Sequence, residues 1–149
     1  MAAARLLHRP VLVTDIEPWS VYVARQNAMR NWLGRLVRVR LANGWLHSAV
    51  RAGRPYDLVL ANILARPLIR MACRLAAHLA PGGTAILPGL LRNQSRNVLA
   101  AHLRCGLRLE ASLQEGVWVT LVLRQSTKLQ AGKAPRALPR CEVEYRVRQ

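Results

Sequence analysis

Acidic and aromatic residues are scarce in this 149-residue sequence, and phenylalanine is missing altogether. Only 7 acidic residues accompany 23 basic ones, which gives a formal net charge of +16, and aromatics make up 5% against 52% for all apolar residues. The core must therefore be built from Leu, Val, Ile and Ala, in one domain that buries roughly two-thirds of its unfolded surface. The charge favours polyanionic surroundings such as RNA or ribosomes. Solubility and a coding bias toward Arg account for most of it, since only Lys128 and Lys133 are lysines.

Cysteine and histidine are too few and too scattered to form a recognisable metal or disulfide motif. Cys73, Cys105 and Cys141 are odd in number, lie far apart and include no CxxC pair, and the four histidines show no ligand spacing. We therefore expect neither a disulfide framework nor a metal site, and this cysteine usage fits a reducing cytoplasm.

Long apolar segments are lacking as well. The stretch from Leu75 to Leu91 has no Lys, Arg, Asp or Glu, but Pro81-Gly82-Gly83 interrupts it, so it cannot cross a membrane as one helix. No apolar signal core precedes Arg5 and Arg9. We therefore expect a cytoplasmic protein without a membrane segment.

What the sequence does contain is an alternation of strand and helix patterns. Apolar runs or apolar–polar alternation predict strands, and apolar residues at a spacing of three and four predict helices. Glu17-Pro18 and Pro67 are typical of helix starts, and Gly106 is typical of a left-handed helix end. The predicted strands are Val11–Asp15, Leu36–Leu41, Tyr56–Ala61 and Thr84–Leu87, and the predicted helices end at Leu7, span Pro18–Asn31, run from Pro67 to the Pro81 break, and span Asn93–Cys105.

Two further strands close the pattern. Leu107–Leu113 and Val117–Leu123 are separated by Gln114-Glu115-Gly116, a connection short enough only for an antiparallel hairpin. The sequence therefore predicts an α/β fold with a mostly parallel sheet and a C-terminal antiparallel hairpin, in a domain covering residues 1–124. Residues 125–149 contain Pro and Arg but no core pattern, so we expect a basic, disordered tail.

Polar side chains end two of the predicted strands. Asp15 ends the first strand and Asn62 directly follows the third. Ligands of open parallel sheets bind just beyond the carboxyl ends of the strands, so these residues predict a small-molecule site. The local alternatives are a helix cap at Asp15 and a turn-forming Asn62. No Ser-His-Asp, Cys-His or paired-carboxylate arrangement is recognisable, which disfavours hydrolytic chemistry.

Four stretches together carry a family resemblance. They are VLVTDIEPWSVYVARQNAMRN, YDLVLANILARPLI, LAPGGTAILPGLL and GLRLEASLQEGVWVTLVLR, which cover about Ala2 to Arg124 in order and at suitable spacing. In these stretches the chain resembles the S-adenosylmethionine-dependent methyltransferases, specifically the ribosomal protein L-eleven methyltransferases of the PrmA type. The resemblance implies a Rossmann-like fold and methyl transfer to amino groups of a ribosomal protein.

The resemblance also implies roles for three residues. Asp15 would accept hydrogen bonds from the ribose hydroxyls of S-adenosylmethionine. Asn43 stands where the family usually has an acid, and its carbonyl oxygen would accept a hydrogen bond from the adenine amino group. Asn62 would lie beside the methyl group and orient the incoming amine as the catalytic residue. Four aromatic residues of the first half could stack on adenine, but they are more typical of packing or surface anchors and are not included in the predicted site: Trp19, Tyr22, Trp32 and Trp45.

Two parts of the family pattern are missing from the sequence. The first strand with its glycine-rich cofactor loop, and the N-terminal domain that grips the ribosomal protein, would both precede Leu7. The chain thus looks truncated inside the domain, with Met1 as an internal methionine of the family. Because the family's first strand lies between the strands at Val11 and Tyr56, its loss predicts a central gap, unpaired edges and self-association. Without the cofactor loop and the substrate-binding domain, we expect the methyltransferase activity to be impaired. Two alternatives stay open: an inactive remnant, and a non-catalytic basic module that binds RNA or ribosomes through its arginines.

Overall fold

The structure, a computed structural model, describes residues 1–126 and, for the backbone alone, residues 140–145. Its helices are α1 (Ala2–Leu7), α2 (Pro18–Arg30), α3 (Ser48–Gly53), α4 (Ala65–His78) and α5 (Arg92–Arg104). Its strands are β1 (Val11–Asp15), β2 (Val37–Leu41), β3 (Tyr56–Asn62), β4 (Leu79–Leu91), β5 (Leu107–Glu115), β6 (Trp118–Gln125) and β7 (Arg140–Tyr145).

The strands form one sheet in the order β2-β1-β7-β3-β4-β6-β5. The first five strands of that order run parallel, whereas β6 is antiparallel to both β4 and β5. Because β5 and β6 are consecutive in the chain, they form the closing hairpin. The prediction of an α/β fold with a mostly parallel sheet and an antiparallel C-terminal hairpin is confirmed.

The core lies on both faces of the sheet, as expected for a parallel sheet covered by helices. On one face, α1 and α2 pack on alternate residues of β1 and β2, including Val11 and Val13. On the other face, α4 and α5 pack on Val59 and on residues of β4 and β6. Leu12, between the two valines of β1, belongs to this second face. The apolar alternation of the sequence therefore sets which helices cover which face.

Several boundaries differ from the sequence prediction. The fourth helix begins at Ala65, two residues before Pro67, and the structure adds the short α3, which no apolar period indicated. The largest difference is β4, which begins at Leu79 and continues through Pro81-Gly82-Gly83 to Leu91. Its pairing with β3 jumps from Tyr56↔Leu79 to Leu58↔Thr84. The Pro-Gly-Gly segment is therefore an irregularity within strand β4, whereas the sequence predicted that it would separate the helix from the strand.

The strand β7 comes from the segment predicted to be a tail. That prediction mostly concerns residues 127–139 and 146–149, which lie outside the described residues. Where the backbone is described, however, Arg140–Tyr145 is a strand that pairs in parallel with β1 on one side and β3 on the other. The predicted central gap is thus occupied by this chain's own C-terminal segment. In this structure β7 pairs with both of these strands. Self-association through them stays a prediction.

Two of the three cysteines form a disulfide bond, so the expectation that the cysteines take no part in a disulfide framework missed this pair. Cys73 of α4 and Cys105, directly after α5, form a disulfide with a Cα–Cα distance of 4.9 Å. Their 32-residue separation hid this proximity, because α4 and α5 pack side by side only in the folded chain. A pairing of this kind follows from tertiary packing and not from a spacing motif.

His102 makes the fold sensitive to acid. Its ring is fully buried, Nδ1–H donates to the Val98 carbonyl oxygen at 2.8 Å, and Nε2 is buried without a partner among the described residues. Burial lowers the pKa of His102, whereas the unfolded chain titrates near 6.5. Below about pH 6.5 the unfolded chain therefore binds a proton that the folded chain refuses, and above it this group has no effect.

We expect the free energy of unfolding to fall as the pH drops from 7.5 to 5.5, by up to about 1.4 kcal/mol per pH unit for His102. Urea unfolding at both pH values measures this change. His102→Met should reduce the loss, whereas His8→Asn, at an exposed histidine, should leave it intact. Equal losses in both variants would contradict this assignment.

Candidate functional site

A cavity of about 510 Å³ opens at the carboxyl ends of the parallel strands. Its walls come from four places: the end of β1, the turn after β2, Ile63 after β3, and residues 67–74 of α4. Its volume lies within the ordinary range for small-molecule sites. The position agrees with the general rule for ligands of open α/β sheets.

Asp15 is the buried acid of this cavity. It ends β1, is only 6% exposed, and its Oδ1 accepts the Glu17 N–H at 2.8 Å. This bond fixes the carboxylate and shapes the turn before α2. It does not cap the helix, because the N-cap residue is Glu17 and no side chain caps α2, so the interpretation of Asp15 as a helix cap was wrong. The other oxygen, Oδ2, is buried without a hydrogen-bond partner among the described residues. An unpaired buried carboxylate oxygen is costly, and a ligand with hydroxyl donors would satisfy it.

Asn43 stands close to Asp15 because β1 and β2 end together. Asp15 is paired with Leu41, and the Ala42 N–H donates to the Asp15 carbonyl oxygen at 2.9 Å. Asn43 then borders the cavity with an exposed side chain that caps nothing. Two of the three predicted site residues, Asp15 and Asn43, are thus brought to one cavity.

The turn after Asn43 forms a tight wall against α4. Gly44 has a φ of +57°, and a Cβ there would lie 3.1 Å from the Met71 sulfur. Glycine therefore permits both the left-handed backbone and the close approach of the turn to the helix. The short 3-10 turn Gly44–Leu46 that follows places Trp45 in the wall.

Trp45, which was left out of the predicted site as a packing residue, is a core residue that also borders the cavity. Trp45 is 4% exposed, borders the cavity, and stacks in a tilted arrangement on His78 with ring centroids 4.8 Å apart. Its Nε1–H is buried and has no partner among the described residues. The signal available in the sequence was its position two residues after Asn43, in the loop that follows a strand carboxyl end.

Asn62 lies at the same sheet edge but not in the cavity wall. It ends β3 with an exposed side chain, whereas its neighbour Ile63 borders the cavity. The Asn62 amide oxygen packs on Gly89, where a Cβ would come within 2.8 Å of it and where φ is +70°. Because β7 lies between β1 and β3, Asn62 and Asp15 are two strand spacings apart, about 10 Å.

Two arginines of α4 border the cavity and were not predicted. Arg70 and Arg74 line it together with Pro67, and all three lie on one side of the helix at spacings of three and four residues. With Arg66 they form an exposed stripe, for which the described residues provide no acidic partner. The guanidinium groups of Arg54 and Arg74 also contribute to lowering the pKa of His78, after the larger effect of its burial.

Neither a metal centre nor a membrane helix is found in the described part of the chain. No three His, Cys, Asp or Glu side chains within residues 1–126 come together in a way that could hold a metal ion. The helices of the same residues are all too short or too polar to span a membrane.

Solved structures with the same architecture define the class. A crystal structure of ribosomal protein L11 methylase from Lactobacillus delbrueckii subsp. bulgaricus matches with a TM-score of 0.76 and 26% identity, over 84% of this chain and 62% of that one. An RNA methyltransferase from Salinibacter ruber in complex with S-adenosyl-L-homocysteine shares the fold, with a TM-score of 0.63 and 15% identity over 87% and 74% of the two chains. The fold is that of the Rossmann-like methyltransferases.

The sequence comparisons identify the family within this class. The family model described as ribosomal protein L11 methyltransferase (PrmA) matches residues 1–126, and the chain belongs to this family. A ribosomal protein L11 methyltransferase from Chelativorans sp. (strain BNC1) is 45% identical over 125 residues, and one from Brucella suis is 43% identical over 124 residues. These matches cover 84% and 83% of this chain but only 43% and 44% of the relatives. The chain thus spans about two-fifths of the length of the curated relatives it matches.

Proposed function

We propose that the chain binds the nucleoside part of S-adenosylmethionine and serves methyl transfer to amino groups of a ribosomal protein. Family membership and the names of its relatives support the reaction and the substrate class. The observation that carries the proposal is Asp15 Oδ2, a buried acceptor without a partner beside a cavity of about 510 Å³. Trp45 Nε1–H, a buried donor without a partner in the described residues, borders the same cavity.

The proposed binding uses residues whose side chains are free for a ligand. Asp15 already has one oxygen fixed by the Glu17 N–H, so Oδ2 accepts from the ribose hydroxyls without a change of rotamer. Asn43, which caps nothing, accepts the adenine amino group through its carbonyl oxygen. Ile63 and Met71 supply apolar surface for the adenine ring.

The proposed chemistry depends on positioning. S-adenosylmethionine supplies a methyl group activated on a sulfonium, and no acid–base pair is needed beyond removal of the proton from the amine. A free lysine has a pKa of about 10.4, and an apolar surrounding lowers it by disfavouring the ammonium form. Asn62, held against Gly89 at the end of β3, orients the amine through its amide oxygen.

The methionine part of the cofactor has fewer candidate partners. No glycine precedes Gly34 in the sequence, so a glycine-rich loop before β1 is not among the residues of this chain. The contacts that support the proposed complex are therefore those to the nucleoside part of the cofactor.

We expect S-adenosylhomocysteine to bind the full chain, and Asp15→Ala to weaken that binding by about 10- to 100-fold. The reason is the loss of charge-assisted hydrogen bonds worth about 1.5–3 kcal/mol. Isothermal titration calorimetry measures the dissociation constants. Asp57→Ala is the matched control, because it removes the other aspartate, which is exposed at the far end of β3. Absence of binding by the folded wild-type chain, or equal weakening by both variants, would reject the proposal.

The alternative of a non-catalytic basic module rests on a different feature. The exposed arginine stripe Arg66, Arg70 and Arg74 provides positive charge, and two of its members, Arg70 and Arg74, border the cavity. It predicts polyanion binding that does not require the cofactor and weakens steeply with salt. This alternative stays a prediction.

A further inference from the structure

The outward face of α2 carries large aromatic side chains that do not pack in the core. Val21 and Ala28 bury the inner face of this helix, whereas Trp19 and Tyr22 are 68% and 51% exposed. The rings of Trp19 and Tyr22 stack on each other, with centroids 5.2 Å apart and an interplanar angle of 23°. The pair therefore presents a flat aromatic surface to solvent.

A third aromatic residue, Trp32, lies just beyond the other end of the helix. Its side chain is 93% exposed, and its backbone has a φ of +60°. A left-handed backbone is unfavourable for a residue with a Cβ, and glycine is the usual residue after a helix end. Neither burial nor backbone preference therefore accounts for a tryptophan at this position. At 1.5 Å per residue it is about 20 Å from Trp19 along the helix axis.

The chain around these aromatic residues is entirely basic. Residues 18–41 contain five arginines and neither Asp nor Glu. All five arginine side chains are exposed, and none of them forms a salt bridge with an acid of the described residues. Positive charge of this density, without acids between, attracts polyanions. The five are Arg25, Arg30, Arg35, Arg38 and Arg40.

Two of these arginines converge at the edge of the sheet. β2 is the outermost strand on its side of the described sheet. Arg25, from α2, donates to the Val39 carbonyl oxygen at 3.4 Å, and Arg40, from β2, donates to the same oxygen at 3.1 Å. Two guanidinium groups that share one carbonyl oxygen repel each other, and an oxyanion bound to both removes the repulsion. Phosphate suits such a site, because the donors of a guanidinium match its oxygens.

Stacked aromatic rings beside arginines match the chemistry of a single-stranded nucleic acid. Its phosphates pair with guanidinium groups, and its unpaired bases stack on aromatic side chains. Arg25 follows Tyr22 by three residues, so the phosphate site and the aromatic pair are neighbours on the helix surface. A duplex cannot use the rings in this way, because its bases already stack on one another. An acidic protein would use the arginines but not the flat aromatic surface.

We propose that the outward face of α2 and the adjoining edge of β2, called here the α2 surface, bind single-stranded RNA. Trp19, Tyr22 and Trp32 stack on unpaired bases, and Arg25 and Arg40 hold a phosphate between them. The choice of RNA over DNA rests on the proposed function, whose substrate class is a ribosomal protein. The surface itself does not rest on it, because α2 and the arginine stripe of α4 cover opposite faces of the sheet.

Fluorescence anisotropy of the full chain with fluorescein-labelled dodecauridine, without cofactor, tests the aromatic contacts. Trp19→Ala with Tyr22→Ala should weaken binding at least tenfold, because each stacked base contributes to affinity. The same variant should bind a glutamate peptide of equal charge as the wild type does, because the peptide has no bases. Trp118→Ala is the matched control. It removes an exposed tryptophan of β6, five strand spacings or about 24 Å from β2, and should leave RNA binding unaltered.

Three results would overturn the proposal. The first is no binding of dodecauridine by the wild type, and the second is equal loss of RNA binding in the aromatic variant and in the Trp118 control. The third is tighter binding of the glutamate peptide than of the RNA, which would assign the α2 surface to an acidic protein. Because no cofactor is present, these results are independent of whether the cavity binds a nucleoside.

The salt dependence of RNA binding tests the phosphate site. Arg25→Gln with Arg40→Gln should reduce the slope of log K against log salt by about 0.7, the value for one phosphate contact of a single strand. Arg92→Gln with Arg96→Gln makes the same charge change at exposed positions of α5 and should leave the slope unaltered. Equal changes of slope in the two variants would show that net charge, and not the α2 surface, binds the RNA.

Discussion

Reduction of the Cys73–Cys105 disulfide is expected to lower the free energy of unfolding by about 3–4 kcal/mol. The bond joins α4 to the residue after α5 across 32 positions of sequence. Its main effect is on the unfolded chain, which loses the conformations in which the two helices are far apart. In the folded chain these helices already pack against each other, so little native structure is given up when the bond is cut.

Urea unfolding with and without a phosphine reductant measures this difference. Cys73→Ser combined with Cys105→Ser should match the reduced wild type and no longer respond to the reductant. Cys141→Ser, which leaves the bond intact, should keep the full response. If reduction leaves the unfolding midpoint of the wild type unchanged, the bond contributes no stability and the expectation is wrong.

Gly53→Ala is expected to destabilise the fold by about 2–4 kcal/mol. Gly53 ends α3 and lies against the ring of Tyr56 at the start of β3, where a Cβ would come within 2.8 Å of Cζ and still closer to the hydroxyl group. Tyr56 is completely buried, and its hydroxyl donates to the Val50 carbonyl oxygen at 2.8 Å. An added methyl group must displace this ring, and the displacement breaks a buried hydrogen bond.

A double-mutant cycle with Tyr56→Phe separates this contact from general helix effects. In the phenylalanine background, which lacks the hydroxyl, Gly53→Ala should cost at least 1 kcal/mol less than in the wild type. Gly34→Ala is the matched control, because a Cβ there meets only a Met29 carbon at 4.0 Å. Additive effects in the cycle would show that the Tyr56 hydroxyl is not the obstacle.

Much of the fold could be predicted because its signals are local. The strand Val11–Asp15 has the predicted bounds, and Gly106 has the expected left-handed backbone, with φ at +88°. The hairpin followed from a connection too short for any other pairing. In each case the residues that determine the element lie within the element or next to it.

The remaining features depend on contacts between distant segments. The six residues of α3 are too few to show an apolar period, and the Cys73–Cys105 pair forms only because α4 and α5 meet. β7 could not be predicted from Arg140–Tyr145, since two acids in six residues argue against a central strand. Its position results from two open edges, which no local pattern encodes.

Only part of the candidate site could be predicted from the sequence. Asp15 and Asn43 reach one cavity because the ends of neighbouring parallel strands meet, a rule that needs only the strand assignment. Trp45, Arg70 and Arg74 required knowledge of how the turn after β2 approaches α4. That approach depends on Gly44 and Met71, which are 27 positions apart in the sequence.

The position of β7 also has a consequence for biosynthesis. β7 is the last described element to leave the ribosome, yet Val11 is paired with Cys141, about 130 positions away in the sequence. Such distant pairings fold slowly, because the closure of the intervening chain must precede any gain from the contact. During translation the pairing of β1 and β3 with β7 therefore has to wait until residues 140–145 have emerged from the ribosome.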